Sequence, residues 1–286
     1  MALGIFESEI QTGKPMQNKL WVVIPYYRDP EALARCLDAL GESTYKNFDV
    51  YVRDNSEDNI YYTAAVNEGI KLGLADPEVS DFLVLNQDCY LEQTTLELLK
   101  SHLTEFPECG IACPLQIKNN TVTWGGSLEA FPLGRHFSIP IEQYNDPFTT
   151  YWANGACMLL RRSVVEEIGL LDKNLRFICS DADYSFSARA RGWEVHVVPS
   201  ARCEHSLGSS STAASAELTY IKTQDVIYYY EKWISGAIYS RLSCEGPKLV
   251  RDEMEAWIQK LREDVEGERL RIENVKDSLL NSPRAG

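Results

Sequence analysis

The chain has 286 residues, 44% of them hydrophobic and 24% charged, with a formal net charge of −14. This is ordinary globular composition, and so acidic a surface argues against nucleic acid and anionic lipid as electrostatic partners. No stretch approaches the roughly 20 apolar residues of a membrane helix.

In chain order, residues 1–18 lack the basic-then-apolar order of an export signal and read as a flexible leader, so a cytoplasmic place is expected, at most peripheral to the inner face of a membrane. The eight cysteines, none in a CxxC pair, then read as reduced, buried small hydrophobes. LWVVIP (20–25) has the pattern of a buried strand. Asp29 and Pro30 follow as N-cap and first-turn proline of a helix whose apolar stripe is Leu33, Cys36, Leu37 and Leu40. FDVYVRDNS is a second strand, residues 59–75 a helix, and FLVLNQD a third strand. Leu91 to Phe106 carries Leu96, Leu99 and Leu103 at helical spacing.

This alternation predicts an α/β fold with a parallel sheet, right-handed crossovers and helices on both faces. Ligands then sit at the carboxyl ends of the strands. Three strands end in polar clusters, Pro25-Tyr26-Tyr27-Arg28, Asp54-Asn55-Ser56 and Asn86-Gln87-Asp88, which this topology gathers at one rim.

The second half has weaker periodicity. CGIACPLQI and TVTWGGSLEAF read as strands with a glycine turn, with Cys109 and Cys113 as two buried thiols of one strand rather than half of a zinc site. RHFSIPIEQYNDPFTTYW reads as a loop over the site, and ANGACMLLRR as another apolar strand. Arg161 and Arg162 read as solvated at a helix start. Ser163 to Glu166 has capping-box spacing, with Gly169 to close that helix. Ser180-Asp181-Ala182-Asp183 opens a further helix, WEVHVVP is a strand, and residues 215–235 form a tyrosine-rich helix whose Tyr228–Tyr230 run reads as packing. Met254, Trp257, Ile258 and Leu261 form a modest stripe on a charged terminal helix.

The stretches VVIPYYRDPEALARCLDAL, VYVRDNSED, FLVLNQDCYL, WANGACMLLRRSVVEEIGLLD and SDADYSFSARARGWEVHVVPSARCEHSLGSS occur in one order over roughly residues 20–211. Together they resemble the family 2 glycosyltransferases of the GT-A fold, in particular the rhamnosyltransferase-like branch. The resemblance implies a Rossmann-like, mostly parallel GT-A sheet over residues 19–211; it does not extend further, and residues 212–286 read from their own pattern as a helical C-terminal extension. It also implies inverting transfer of a sugar from a nucleotide diphosphate to an acceptor hydroxyl, in the manner of polysaccharide biosynthesis. A nucleotidyltransferase is disfavoured, because LWVVIPYYRDP lacks the glycine-rich loop that class needs. A degenerate binding module is the standing rival, since Asn86 and Ser180 replace acids of the family's motifs.

The resemblance also suggests roles for particular residues. Asp88 is the expected ligand for a divalent cation, Mn²⁺ or Mg²⁺, that neutralises a diphosphate. His205, after the last strand, completes that site. Asp54 would accept from the imide N–H of uracil or thymine, which implies a UDP- or dTDP-sugar, or else simply close an Asx turn. Pro25, Tyr27 and Arg28 line the same nucleotide rim, and Asn86 lies nearer ribose or phosphate. Trp124 and Gly125 are expected on the donor, and Trp152 and Asn154 on a sugar. Asp181 is the expected general base, with Asp183 either holding the acceptor or structural in the first helical turn. The acceptor is a glycan, a lipid-linked sugar or a protein side chain. Residues 247–286 read equally as an oligomerisation or partner helix and as a plain solvated one.

Overall fold

The computed structural model describes residues 18–127, 138–206, 216–234 and 251–281. All but the last residue of the expected leader, and the expected junction at 211–212, lie outside them. The chain runs β1 (Lys19–Tyr26), α1 (Pro30–Gly41), β2 (Phe48–Asp54), α2 (Tyr61–Leu74), β3 (Val79–Leu85), β4 (Cys89–Leu91), α3 (Thr95–Glu105) and β5 (Cys109–Lys118). It continues with β6 (Thr121–Trp124), β7 (Phe148–Thr149), β8 (Cys157–Arg161), α4 (Arg162–Ile168), α5 (Ser180–Ala190), β9 (Glu194–His205), α6 (Ala216–Ile234) and α7 (Arg251–Asn281). No helix among the described residues is long and apolar enough to cross a membrane.

The strands form one sheet in the order β2-β1-β3-β8-β5-β9-β4, with β6 beside β5 and β7 beside β9. Along that path β2, β1, β3, β5 and β9 share one direction, while β8 and β4 run against it. The sheet is therefore mostly parallel, as expected, but β8 is inserted antiparallel at its centre. The consequence is functional. Because β8 is inverted, its entry segment Asn154-Gly155-Ala156 arrives at the same rim where β1, β2 and β3 end.

Both faces of the sheet are covered, which explains the unbroken apolar runs. On β3, Phe82 and Val84 enter the core that α2, α4, α5 and α6 complete, while Leu83 and Leu85 enter the core under α1 and α3. The side chain of Asp29 accepts from the Ala32 amide at 3.0 Å and caps α1, a contact worth about 1 kcal/mol. The buried stripe of α1 is Ala32, Cys36 and Leu40, one position round from the expected one, and Leu37 is exposed.

Several local expectations need correction. The β5–β6 turn is made by Asn119 and Asn120, both with positive φ; asparagine tolerates that region better than most residues. Helix α4 starts at Arg162 without a side-chain cap, so Ser163 closes no capping box, although Gly169 does end the helix with φ 81°. Arg161 and Arg162 are not solvated. The Arg161 guanidinium donates to the carbonyls of Leu103, Phe106 and Cys109 at the end of α3, and Arg162 donates to those of Leu74, Asp76 and Val79 at the end of α2. Each satisfies carbonyls that a helix terminus leaves without partners. Strand β9 runs past Pro199 to His205, further than WEVHVVP suggested, because β4 pairs with its last residues.

Of the terminal stripe, Ile258 is buried and Leu261 packs against the same core. The side chains of Met254 and Trp257 lie outside the described set. Tyr229 and Tyr230 are buried core residues, and the Tyr228 hydroxyl donates to Asp172 at 2.8 Å.

Candidate functional site

The rim forms where three parallel strands stop. The ends of β1 and β2 are tied by the Asn55 amide donating to the Tyr26 carbonyl at 2.8 Å. The ends of β1 and β3 are tied by a two-point clamp that no sequence pattern announces. The Tyr27 N–H donates to Gln87 Oε1 at 2.5 Å, and Gln87 Nε2 donates back to the Tyr27 carbonyl at 3.2 Å. Gln87 is buried, so its side-chain amide replaces the ladder partner that the backbone of Tyr27 loses as β1 ends.

Arg28 sits at positive φ and folds over the end of β2, with Nε and Nη2 donating to the Ser56 carbonyl at 3.2 and 3.0 Å. Asp54 is exposed. Its Oδ1 accepts from the Ser56 amide at 2.8 Å, so the Asx turn is formed. Bonds from Ser56 hold its carboxyl below the usual range. Pro25, Tyr27, Arg28 and Asp54 thus share one edge of the rim.

Asp88 and His205 meet although 117 residues separate them in sequence. Strand β4 pairs antiparallel with the end of β9, setting Cys89 opposite His205, and the Ser206 amide donates to the Asp88 carbonyl at 3.0 Å. His205 Nε2 lies 3.3 Å from Asp88 Oδ1, with both side chains largely buried. His205 Nδ1 is buried with no hydrogen-bond partner among the described residues. Such an atom is costly unless something takes its lone pair or proton. Adjacent ligands about 2.1 Å from one octahedral ion lie about 3 Å apart, close to the gap observed. A carboxylate and an imidazole are donors that Mn²⁺ accepts, so these two residues fit a divalent cation.

Asp181 opens α5 beside the start of β8. Its Oδ2 accepts from the Gly155 amide at 2.8 Å and its Oδ1 from the Ala182 amide at 2.9 Å. The Gly155 carbonyl in turn accepts from the hydroxyl of Tyr62, on α2, at 2.8 Å. A Cβ at position 155 would stand 2.6 Å from that hydroxyl and 3.1 Å from Asp181 Cβ, so the close approach requires glycine. One residue on, the Ala156 carbonyl accepts from the Asn86 amide at 2.9 Å. A short run of backbone, Asn86 to Ala156 to Gly155 to Asp181, therefore joins the Asp88 side of the rim to the Asp181 side. Neither Tyr62 nor Gly155 carried any sequence signal for this contact.

The segment leading into α5 is held from α6. Asp225, fully buried, accepts the amides of Arg176, Phe177 and Ile178 at 3.1, 2.7 and 3.0 Å. Burial raises its carboxyl above the usual range while the three amides pull it back.

The Asp183 carboxylate faces α6, where Trp233 Nε1 donates to Oδ1 at 2.9 Å and Lys232 Nζ lies 2.7 Å from the same oxygen. Of the two roles read for it, this placement matches the structural one. Trp124 and Trp152 are buried, with ring centroids 5.8 Å apart. Gly125 makes room for the Tyr144 hydroxyl, which a Cβ there would overlap. Asn154 Oδ1 accepts from the Ala156 amide at 2.9 Å, shaping the entry to β8.

Comparison with known proteins agrees with this fold. Residues 82–219 match the model of the family described as Glycosyltransferase like family 2. The O-antigen biosynthesis protein RfbC of Myxococcus xanthus is 23% identical over 77% of this chain, and the match spans 19% of that protein's length. Among solved structures, GalNAc-T7 with UDP, GalNAc and Mn²⁺ superimposes with a TM-score of 0.53 at 13% identity, covering 87% of this chain and 55% of that one. The mannosyltransferase PcManGT of Pyrobaculum calidifontis, in complex with GDP-Man and Mn²⁺, gives 0.52 at 12% identity, covering 93% and 81%. The chain thus has the GT-A fold, and its residues 82–219 are similar to glycosyltransferase family 2.

Proposed function

We propose that the protein is a metal-dependent inverting glycosyltransferase that uses a UDP- or dTDP-sugar and works in polysaccharide biosynthesis. The observation that carries this reading is the convergence of Asp88 and His205, 3.3 Å apart at the strand ends, one backbone bridge from Asp181. The relatives' names support it, since one acts in O-antigen biosynthesis and two solved neighbours hold Mn²⁺ with UDP or GDP-Man.

In this reading the nucleotide lies on the edge formed by Pro25, Tyr27, Arg28 and Asp54, with Asn86 toward ribose or phosphate. Gln87 keeps Tyr27 in register with β3, and with it the base edge at a set distance from Asp88. Asp88 and His205 hold a divalent ion, Mn²⁺ or Mg²⁺, whose charge stabilises the diphosphate as it leaves. Asp181 takes the proton of the acceptor hydroxyl. The acceptor oxygen then bonds to the anomeric carbon from the face opposite the diphosphate, which departs with the bonding electron pair and so inverts the centre. The Gly155 amide and the Ala182 amide aim the Asp181 carboxylate, which is the orientation a proton transfer needs. Trp124, Gly125, Trp152 and Asn154 shape the wall behind the sugar. The acceptor is a glycan, a lipid-linked sugar or a protein side chain.

The test is a thermal-shift screen of UDP, dTDP and GDP and their sugars, with and without Mn²⁺, on wild type and Asp88→Ala. Ligand at about 100 times its dissociation constant stabilises the native state by roughly 2.7 kcal/mol. The expected result is a metal-dependent rise with a uracil or thymine nucleotide that Asp88→Ala abolishes. No rise with any nucleotide would overturn the reading in favour of a degenerate binding module. A product whose anomeric configuration is retained would overturn the inverting step.

A further inference from the structure

A second cluster of metal-ligating side chains lies at the other edge of the sheet. His102 is in the last turn of α3, Cys109 opens β5, and His196 is near the start of β9. All three are buried, with one ligand atom from each within 4.8 Å of the other two, and His102 Nε2 lies 2.8 Å from His196 Nδ1. Strand β9 carries His196 near its start and closes with His205, nine residues and up to about 30 Å later. This cluster is therefore separate from the rim where Asp88 stands.

From these groups we infer a site for a divalent cation of the zinc class, held by His102 Nε2, His196 Nδ1 and Cys109 Sγ. Two features beyond proximity support it. First, the outer nitrogen of His196, Nε2, lies 2.7 Å from Glu194 Oε2. An ionised carboxylate only accepts, so it fixes the proton on Nε2 and turns the Nδ1 lone pair inward. A carboxylate behind an imidazole is the usual outer partner of a metal-bound histidine.

Second, the local backbone selects one thiol. A register shift between Cys109 and Ile111 puts Cys109 in the core under α1 and α3, while Cys113 enters the opposite core. The two cysteines of CGIAC thus part company, and Cys109 is the one that meets the histidines. The Phe106 ring packs on both imidazoles, with centroids 4.5 and 5.9 Å away.

The present His102–His196 separation is 2.8 Å. Tetrahedral zinc with bonds of about 2.0–2.1 Å to nitrogen and 2.3 Å to sulfur needs neighbouring ligands about 3.3–3.6 Å apart. The two imidazoles must open by about half an ångström and the thiol must close in, changes within side-chain reach. The proton count balances. The shared proton on His102 Nε2 moves to Nδ1, the Cys109 thiol gives its proton to solvent, and the thiolate and two lone pairs bind the cation. One proton is released per ion bound. The fourth position is left to water, as zinc with three protein ligands commonly has it.

The full chain is dialysed against Zn²⁺, passed over a chelating resin and assayed for metal. In parallel, Co²⁺-loaded protein is scanned for thiolate-to-cobalt absorption in the near ultraviolet. The expected result is about one zinc per chain and a thiolate band, both kept in Asp88→Ala and both lost in Cys109→Ser. Glu194→Gln should keep the site but weaken it about 10–100-fold. Wild-type protein without stoichiometric zinc and without a thiolate band would overturn the inference. So would zinc lost in Asp88→Ala but kept in Cys109→Ser, which would place the ion at the rim. The wild-type measurements decide the matter even where a variant fails to fold, and neither depends on glycosyl transfer.

Discussion

Replacing Lys232 by Met probes how α6 holds α5, the helix that begins at Asp181. Lys232 Nζ lies 2.7 Å from Asp183 Oδ1 and 2.9 Å from Asp172 Oδ2. The Asp183 side chain is 3% exposed and that of Lys232 is 31% exposed. Removing one partner of a buried ion pair costs about 3–5 kcal/mol, because a charge is left without compensation. Water reaches Lys232 and Trp233 Nε1 still donates to Asp183, which brings the expected loss to about 2–3 kcal/mol. Asp172 adds little, since it keeps Tyr228 and its pair is only partly buried.

The pH dependence has a definite sign. Burial already raises the Asp183 carboxyl, and Lys232 works against that rise. Without Lys232 the folded-state value climbs further. A raised folded value means stability fully present below the unfolded value of about 3.9 and lost as pH rises through the folded one. The deficit of Lys232→Met relative to wild type should therefore be small near pH 4 and full at pH 7–8. Urea unfolding followed by tryptophan fluorescence, at a series of pH values, reads this directly. With a slope of about 3 kcal/mol per molar urea, the midpoint should fall by somewhat under 1 M at pH 7.5. Lys232→Met/Asp183→Asn should recover most of it. A variant as stable as wild type at pH 7.5, or one equally weakened at pH 4 and pH 8, would refute the reasoning.

Gly155→Ala brings a methyl within 2.6 Å of the Tyr62 hydroxyl. It should cost about 1–3 kcal/mol of stability by overpacking and lower kcat far more than nucleotide affinity, whereas equal loss in both would argue against a link between Gly155 and Asp181. Gln87→Met removes both bonds to the Tyr27 backbone. Nucleotide binding in calorimetry should weaken, by about 1–3 kcal/mol if the unpaired amide is left dry, and unchanged binding would show that the clamp does not support the base edge. In Asp225→Asn a single oxygen replaces two, so at least one of the amides of 176–178 loses its acceptor. Relief of the buried charge offsets part of the roughly 1–3 kcal/mol penalty, so the clearer readout is hydrogen exchange, with faster exchange at residues 176–178 and little change in β1–β3.

The first half of the chain was legible because its signals are local. Short apolar strands, a capped helix and polar residues at strand ends all follow from neighbours in sequence, and alternation with helices forces the strands parallel, so that Asp54, Asn86 and Asp88 reach one rim. Motif order added the pairing partner, His205, and the helix-opening Asp181. What escaped the sequence depends on contacts between distant segments. The inversion of β8, which no local pattern encodes, delivers Gly155 to Asp181. Tyr62, Gln87 and Asp225 act through hydrogen bonds to backbone groups remote in sequence, and residue type alone does not reveal such partners. Arg161 and Arg162 looked like surface charge because arginine usually is, yet the ends of α2 and α3 present carbonyls that need donors. The same holds for His102, Cys109 and His196. As separate residues each is an ordinary buried side chain, and chemistry appears only where a helix end and two strand starts bring their lone pairs within reach of one ion.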